Sequence, residues 1–130
     1  MGMVTRRAKR GLLPSAVRNS STATQKFEEY ENHAVRLFLN VTNASGTGGL
    51  TVQIRAYDKY GNGPVNLTVG GTPVTTTGIY IYEMAPTQST ASGSILEFVN
   101  RILPAWWDAI VNHADGSNYT YSLACEVATL

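Results

Sequence analysis

Cysteine is almost absent from this sequence: Cys125 stands alone, so no disulfide framework within the chain is available to it. Histidine is nearly as scarce. His33 and His113 are the two copies, and neither has a second histidine or a cysteine at metal-ligand spacing. No metal site and no cofactor site is expected. Charge is sparse too, at 15% of residues, and no apolar run approaches the length needed to span a membrane. The head does not read as a secretory signal, because its apolar stretch from Gly11 to Val17 is short and broken by Pro14. The opening Met-Gly lacks the Ser or Thr that a myristoylation start wants and carries Arg6 there. These shortages together point to a chain made in a reducing compartment that is not bound to a membrane.

Threonine, valine, glycine, tyrosine and asparagine are what the chain has in quantity. That mixture favours strands and turns. The length fits one domain with one hydrophobic core. Alternation of apolar and polar residues is the dominant pattern. From Ala34 to Tyr57, Val35, Leu37, Leu39 and Val41 and then Leu50, Val52, Ile54 and Ala56 mark one face of two successive strands. The glycine-rich stretch Asn43–Gly49 between them reads as the turn of a hairpin. Phe38 falls on the polar face of the first strand, so that face is not expected to be wholly solvated. Ser20–Phe27 reads as an edge strand, and Glu28–His33 as a polar, solvated turn.

Asp58–Pro64 is a strong turn signal, followed by a short strand at Val65, Leu67 and Val69 and a possible one within Thr72–Thr77. Ile79–Met84 is bulky on both faces and reads as a strand covered on both sides. Ala85–Ser94 is a small-residue loop. Ile95–Leu103 fits either a helical turn or a strand, closed by Pro104. Trp106–His113 and Tyr119–Val127 alternate strongly, and the Asp115-Gly116 turn between them reads as a second hairpin. In the last strand Cys125 alternates with Leu123 and Val127, as a small buried hydrophobe would. The fold class implied is all-β: an antiparallel β-sandwich or jelly roll spanning 21–130, preceded by an extended basic N-terminal arm at 1–20.

That arm concentrates positive charge. Arg6, Arg7, Lys9, Arg10, Arg18 and Lys26 all precede the first acid, Glu28. Leu12 and Leu13 give it apolar anchors that a merely solvated tail does not need. Arg6, Arg7, Lys9, Arg10, Leu12, Leu13 and Arg18 are therefore the candidate partner-binding residues. The arm lacks interleaved aromatics and the body adds no basic groove, so an acidic protein surface fits it better than nucleic acid. Trp106 and Trp107 are adjacent on a strand and point to opposite faces. With Tyr80 and Tyr82 they are the candidates for a subunit contact or a sugar-stacking surface. Nothing local marks a nucleophile or an acid–base pair. The run Asp58–Gly63 departs from a calcium loop at Tyr60 and Val69.

An ordered series of short motifs adds a resemblance. Asn40-Val-Thr42, Ser45–Val52, Thr77-Gly-Ile-Tyr80, Leu103-Pro104 followed by Trp107, His113-Ala-Asp-Gly116 and Tyr119-Thr-Tyr-Ser122 occur in turn. Together they resemble a group of small virion-associated β-sandwich proteins encoded among the head and tail genes of tailed bacteriophages. The resemblance covers roughly residues 20–128 and leaves out the arm and Trp106. It implies a structural role in the virion, decorating or cementing the capsid or sitting on the tail. The arm's basic, partly apolar character favours the head, and the first reading is a non-enzymatic capsid decoration (cement) protein, made in the host cytoplasm, that binds the major capsid protein on the capsid surface. On that reading the sandwich self-associates as a homo-oligomer, a trimer or dimer, through an exposed aromatic or edge-strand face. A tail or tail-fibre module that binds host carbohydrate through exposed aromatics is the alternative.

Overall fold

A computed structural model describes residues 6–31, 33–67, 71–86 and 95–129. Among these there are ten strands and no helix. They are β1 (Arg6–Arg18), β2 (Thr22–Ala23), β3 (Phe27–Glu28), β4 (Ala34–Ala44), β5 (Leu50–Tyr57), β6 (Val65–Asn66), β7 (Gly78–Ala85), β8 (Ile95–Asn100), β9 (Trp106–His113) and β10 (Tyr119–Thr129). They form two sheets. The long sheet runs β1-β10-β4-β7-β8 and the short sheet β2-β9-β5-β6, with β3 also pairing with β9. Every pairing is antiparallel except β7–β8, which is parallel.

The period-two pattern explains the core. Val35, Leu37, Leu39 and Val41 of β4 and Tyr119, Tyr121, Leu123, Cys125 and Val127 of β10 are buried on the inner face of the long sheet. Leu50, Val52 and Ile54 of β5, with Trp107, Ala109 and Val111 of β9, meet them from the short sheet. Two half-apolar sheets placed face to face bury both apolar sides at once, which makes the chain an all-β sandwich.

Two expected hairpins are not hairpins. β4 pairs with β10 and β7, whereas β5 pairs with β9 and β6, so the Asn43–Gly49 turn carries the chain from one sheet to the other. The Asp115-Gly116 turn does the same between β9 and β10. Alternation reports which side of a strand is buried. It does not say whether the next strand lies beside it or across the core.

The two crossover loops fasten to each other. Ser45 donates from its backbone N–H and its hydroxyl to the Asn118 carbonyl, at 3.1 and 2.6 Å. The Asp115 carboxylate accepts from Gly48 N–H at 2.7 Å and Ser117 N–H at 3.1 Å. These bonds hold the Asp115 carboxyl below the usual carboxylate range. Gly49 has φ of 87°, and a Cβ there would stand 2.8 Å from the Val74 carbonyl, so the turn accepts glycine alone.

Other expectations also change. Ile95–Asn100 is a strand: Val99 packs on the core, and one and a half helical turns of spacing cannot be told from a short edge strand. β7 is covered on its inner face at Tyr82 and Met84, while Ile79 on its outer face is 65% exposed. Val74 makes one isolated bridge, to Leu50, and β6 stops at Asn66. The expectations for Val69 and for 87–94 lie outside the described residues. Glu29, expected in a solvated turn, is 6% exposed and ion-paired to Arg10.

Candidate interaction surface

Residues 6–18 are extended, as expected, and they lie within the sandwich as the edge strand of the long sheet. β1 pairs with β10 from Arg6 opposite Thr129 to Arg18 opposite Tyr119, with register shifts between Gly11 and Leu13 and between Leu13 and Ala16. Residues directly opposite each other point to the same face, so Arg10, opposite Cys125, turns inward. It pairs with Glu29 and sits 5.5 Å from the centroid of the Phe27 ring. Arg18 donates to the carbonyls of Tyr121 and Pro14, both at 2.7 Å, and lies 4.7 Å from the Tyr121 ring centroid. Leu12 and Leu13 pack against the core. Four of the expected partner-binding residues thus hold the strand to its own body. Lys9 is exposed on the outer face. The side chains of Arg6 and Arg7 lie outside the described set.

The outer face of the long sheet is ordered in rows. One row reads Lys9, Glu126, Arg36, Glu83 across β1, β10, β4 and β7 and continues to Phe98 on β8. It is a ladder of alternating sign, in which Arg36 and Glu83 form a salt bridge at 2.6 Å. The next row, one pleat along, reads Gly11, Ala124, Phe38, Ile81. Two small residues stand on one half of that row and two large ones on the other. An open depression of about 470 Å³ lies over the small half, bounded by Lys9, Gly11, Ala124, Glu126 and Phe38. Phe38 was the out-of-pattern residue on β4. Its place in a row with Ala124 and Gly11 depends on strand pairing, which the sequence does not carry.

The short sheet's outer face is built differently. Asp108 is 2% exposed and accepts two bonds from Arg55, at 2.8 and 2.7 Å, and one from the Tyr57 hydroxyl at 2.9 Å. Trp106 neighbours Tyr57 and Glu28 in register and lies beside Tyr30, which is 67% exposed. Lys26 covers the Tyr57 ring at 4.3 Å. The four aromatics picked out from the sequence do not come together. Trp107 and Tyr82 are core residues, 0% and 3% exposed, and Tyr80 bonds through its hydroxyl to the Thr76 carbonyl at 2.9 Å. Trp106 alone of the four faces outward from the short sheet, with Tyr57 and Tyr30 as its companions.

His113 meets the Tyr121 hydroxyl through Nε2 at 2.9 Å and packs edge-on against Tyr119. Burial lowers its pKa. Burial also pushes the Cys125 thiol up to about 11, as befits a packed apolar residue. Among the described residues no three His, Cys, Asp or Glu side chains group as metal ligands. No helix among them is long and apolar enough to cross a membrane.

No known protein family matches the chain, and no curated protein sequence matches it. Among solved structures, one chain from the structure of infectious bursal disease virus Gx strain aligns with 95% of this chain at 9% identity and a TM-score of 0.49. This chain spans about a third of that one, 32% of its length.

Proposed function

We propose that this chain is a non-enzymatic virion structural protein, a capsid decoration (cement) protein that binds the outer shell and stabilises it. One observation carries the proposal: the long sheet turns outward a broad face in which an apolar row lies beside a ladder of alternating charge. Such a face suits many weak contacts made at once. Two packed sheets keep it stiff, so little order has to be gained on docking. The motif series from Asn40 to Ser122 supplies the virion context. At the β1 margin of the face the exposed Lys9 meets an acidic neighbouring shell subunit. Arg10 and Arg18 keep the strand in place for that contact.

Deleting 1–20 does not test this, because it strips a paired edge strand from β10. Lys9→Glu is the cleaner change. Shells lacking the protein are mixed with the purified chain, and binding and shell melting temperature are followed over a salt series. Binding should raise the shell's melting temperature, and Lys9→Glu should weaken binding and flatten its salt dependence. Absence of binding removes the proposal. Binding with an unchanged salt response removes the role given to Lys9.

A carbohydrate-binding tail module is the second reading, favoured by Trp106 lying next to Tyr57 and Tyr30 on the short sheet. Specific binding on a glycan array, lost in Trp106→Ala, would establish it.

A further inference from the structure

We infer that the outer face of the long sheet binds a second copy of this chain about a two-fold axis that runs along the strands, between β10 and β4. The pattern of the two rows selects this occupant. A two-fold rotation about that axis keeps each row at its own height and reverses its order across the sheet. The ladder Lys9, Glu126, Arg36, Glu83 then lies over its own reverse. Lys9 faces the partner's Glu83, and Glu126 faces the partner's Arg36, so every facing pair is of opposite sign.

The same operation acts on the apolar row. Gly11 faces the partner's Ile81, and Ala124 faces the partner's Phe38. Each large side chain therefore meets a small one, and each Phe38 enters the open depression over Gly11 and Ala124 of the other copy. One axis satisfies both charge and shape. An in-plane axis across the strands through the ladder does not, because it sets Arg36 over Arg36 and Glu126 over Glu126, which repel. An isologous contact requires this kind of self-complementarity.

The size is sufficient. The four strands that face one another, β1, β10, β4 and β7, have 13, 11, 11 and 8 residues. At about 3.4 Å per residue and about 4.8 Å per strand they cover on the order of 700 Å², within the range of about 600–1,000 Å² that each side of a stable interface gives. Phe38 lies near the centre of the patch, where contacts contribute most. The in-plane salt bridge of Arg36 with Glu83 holds both groups in position before contact and gives each a second partner across the interface.

The inference shares with the proposed function the premise that this face is adhesive: the second copy occupies it in the free chain and gives way to a shell subunit on docking, and the pairing is tested on the isolated chain without any shell. Sedimentation velocity should show a dimer for the natural sequence. Phe38→Arg should raise its dissociation constant about thirtyfold or more, with an unchanged circular-dichroism spectrum because Phe38 lies outside the core. Ala124→Trp, which fills the depression, should have the same effect.

The register is read by carbodiimide coupling of a mixture of isotope-labelled and unlabelled protein. Mass spectrometry should find Lys9 joined to Glu83 between labelled and unlabelled chains. Within one chain these residues lie three strand spacings apart, about 14 Å. A monomer at all concentrations overturns the inference. So does a dimer that survives both variants, or one without the Lys9–Glu83 link. A dimer through another face would leave shell binding as a separate question, answered by the shell experiment above.

Discussion

The two sheets share one core and turn unlike faces outward. On the short sheet, charge closes on itself: Asp108 is saturated by Arg55 and Tyr57 and is almost wholly hidden. On the long sheet, charges stand in a line at partial exposure, and the Arg36–Glu83 pair keeps 34% and 11% of its side-chain surface open. A nearly buried pair contributes to folding chiefly because losing one partner strands the other. An open ladder contributes little to folding and remains available to a neighbour. The comparison separates a face whose charges hold the fold from a face whose charges stay partly open, the one on which the proposed function rests.

The sharpest way to break that comparison is to remove one charge from each face. Asp108→Ala should cost about 3 kcal/mol in urea denaturation, because Arg55 loses its partner in a poorly hydrated place. Glu126→Ala on the ladder should cost about 0.5 kcal/mol or less. Equal losses would erase the distinction.

Next in size is the inward ion pair that anchors β1. Glu29→Gln should cost about 2 kcal/mol. Amide exchange should quicken first in β1, at Gly11 to Leu13, while β4 stays protected. Uniform quickening would mean that β1 and the rest of the long sheet open together.

A smaller effect comes from His113 at the crossover end. Burial lowers its pKa in the folded protein below the ordinary 6.5. The unfolded chain therefore takes up protons at a higher pH than the folded one. The stability this group contributes is present above about pH 6.5 and is lost as the pH falls through its lowered folded value. His113→Gln should flatten that slope in denaturation series at successive pH values.

Smallest is the reactivity of Cys125. With its thiol pushed up to about 11, it should react slowly with a thiol reagent at pH 8 until denaturant is added. Arg10→Ala, which loosens the strand beside it, should speed labelling of the folded protein.

Much of the architecture was legible in the alternation of apolar residues. It placed β4, β5, β9 and β10 and put Cys125 inside, but it left open which of Trp106 and Trp107 is buried. What it could not carry was partnership. The seven residues from Asn43 to Gly49 turn the chain equally well into an adjacent strand or across a core, and the difference lies in contacts with Asp115, Asn118 and Val74 far along the sequence. The same gap hid Arg10 facing Glu29 and Arg55 facing Asp108, since a charge on an alternating strand looks solvated until its neighbour is known. The candidate face was legible only as one misplaced phenylalanine. That Phe38 lies in a row with Gly11, Ala124 and Ile81 follows from register across four strands, which the local pattern does not determine.

The most direct test is a three-dimensional image of the intact particle with this protein in place. It should show the outer face of the long sheet, Lys9 included, closed against a shell subunit in place of the second copy that it binds in solution. A particle that lacks the protein, or one that carries it with the long sheet's outer face bare to solvent, would contradict the account.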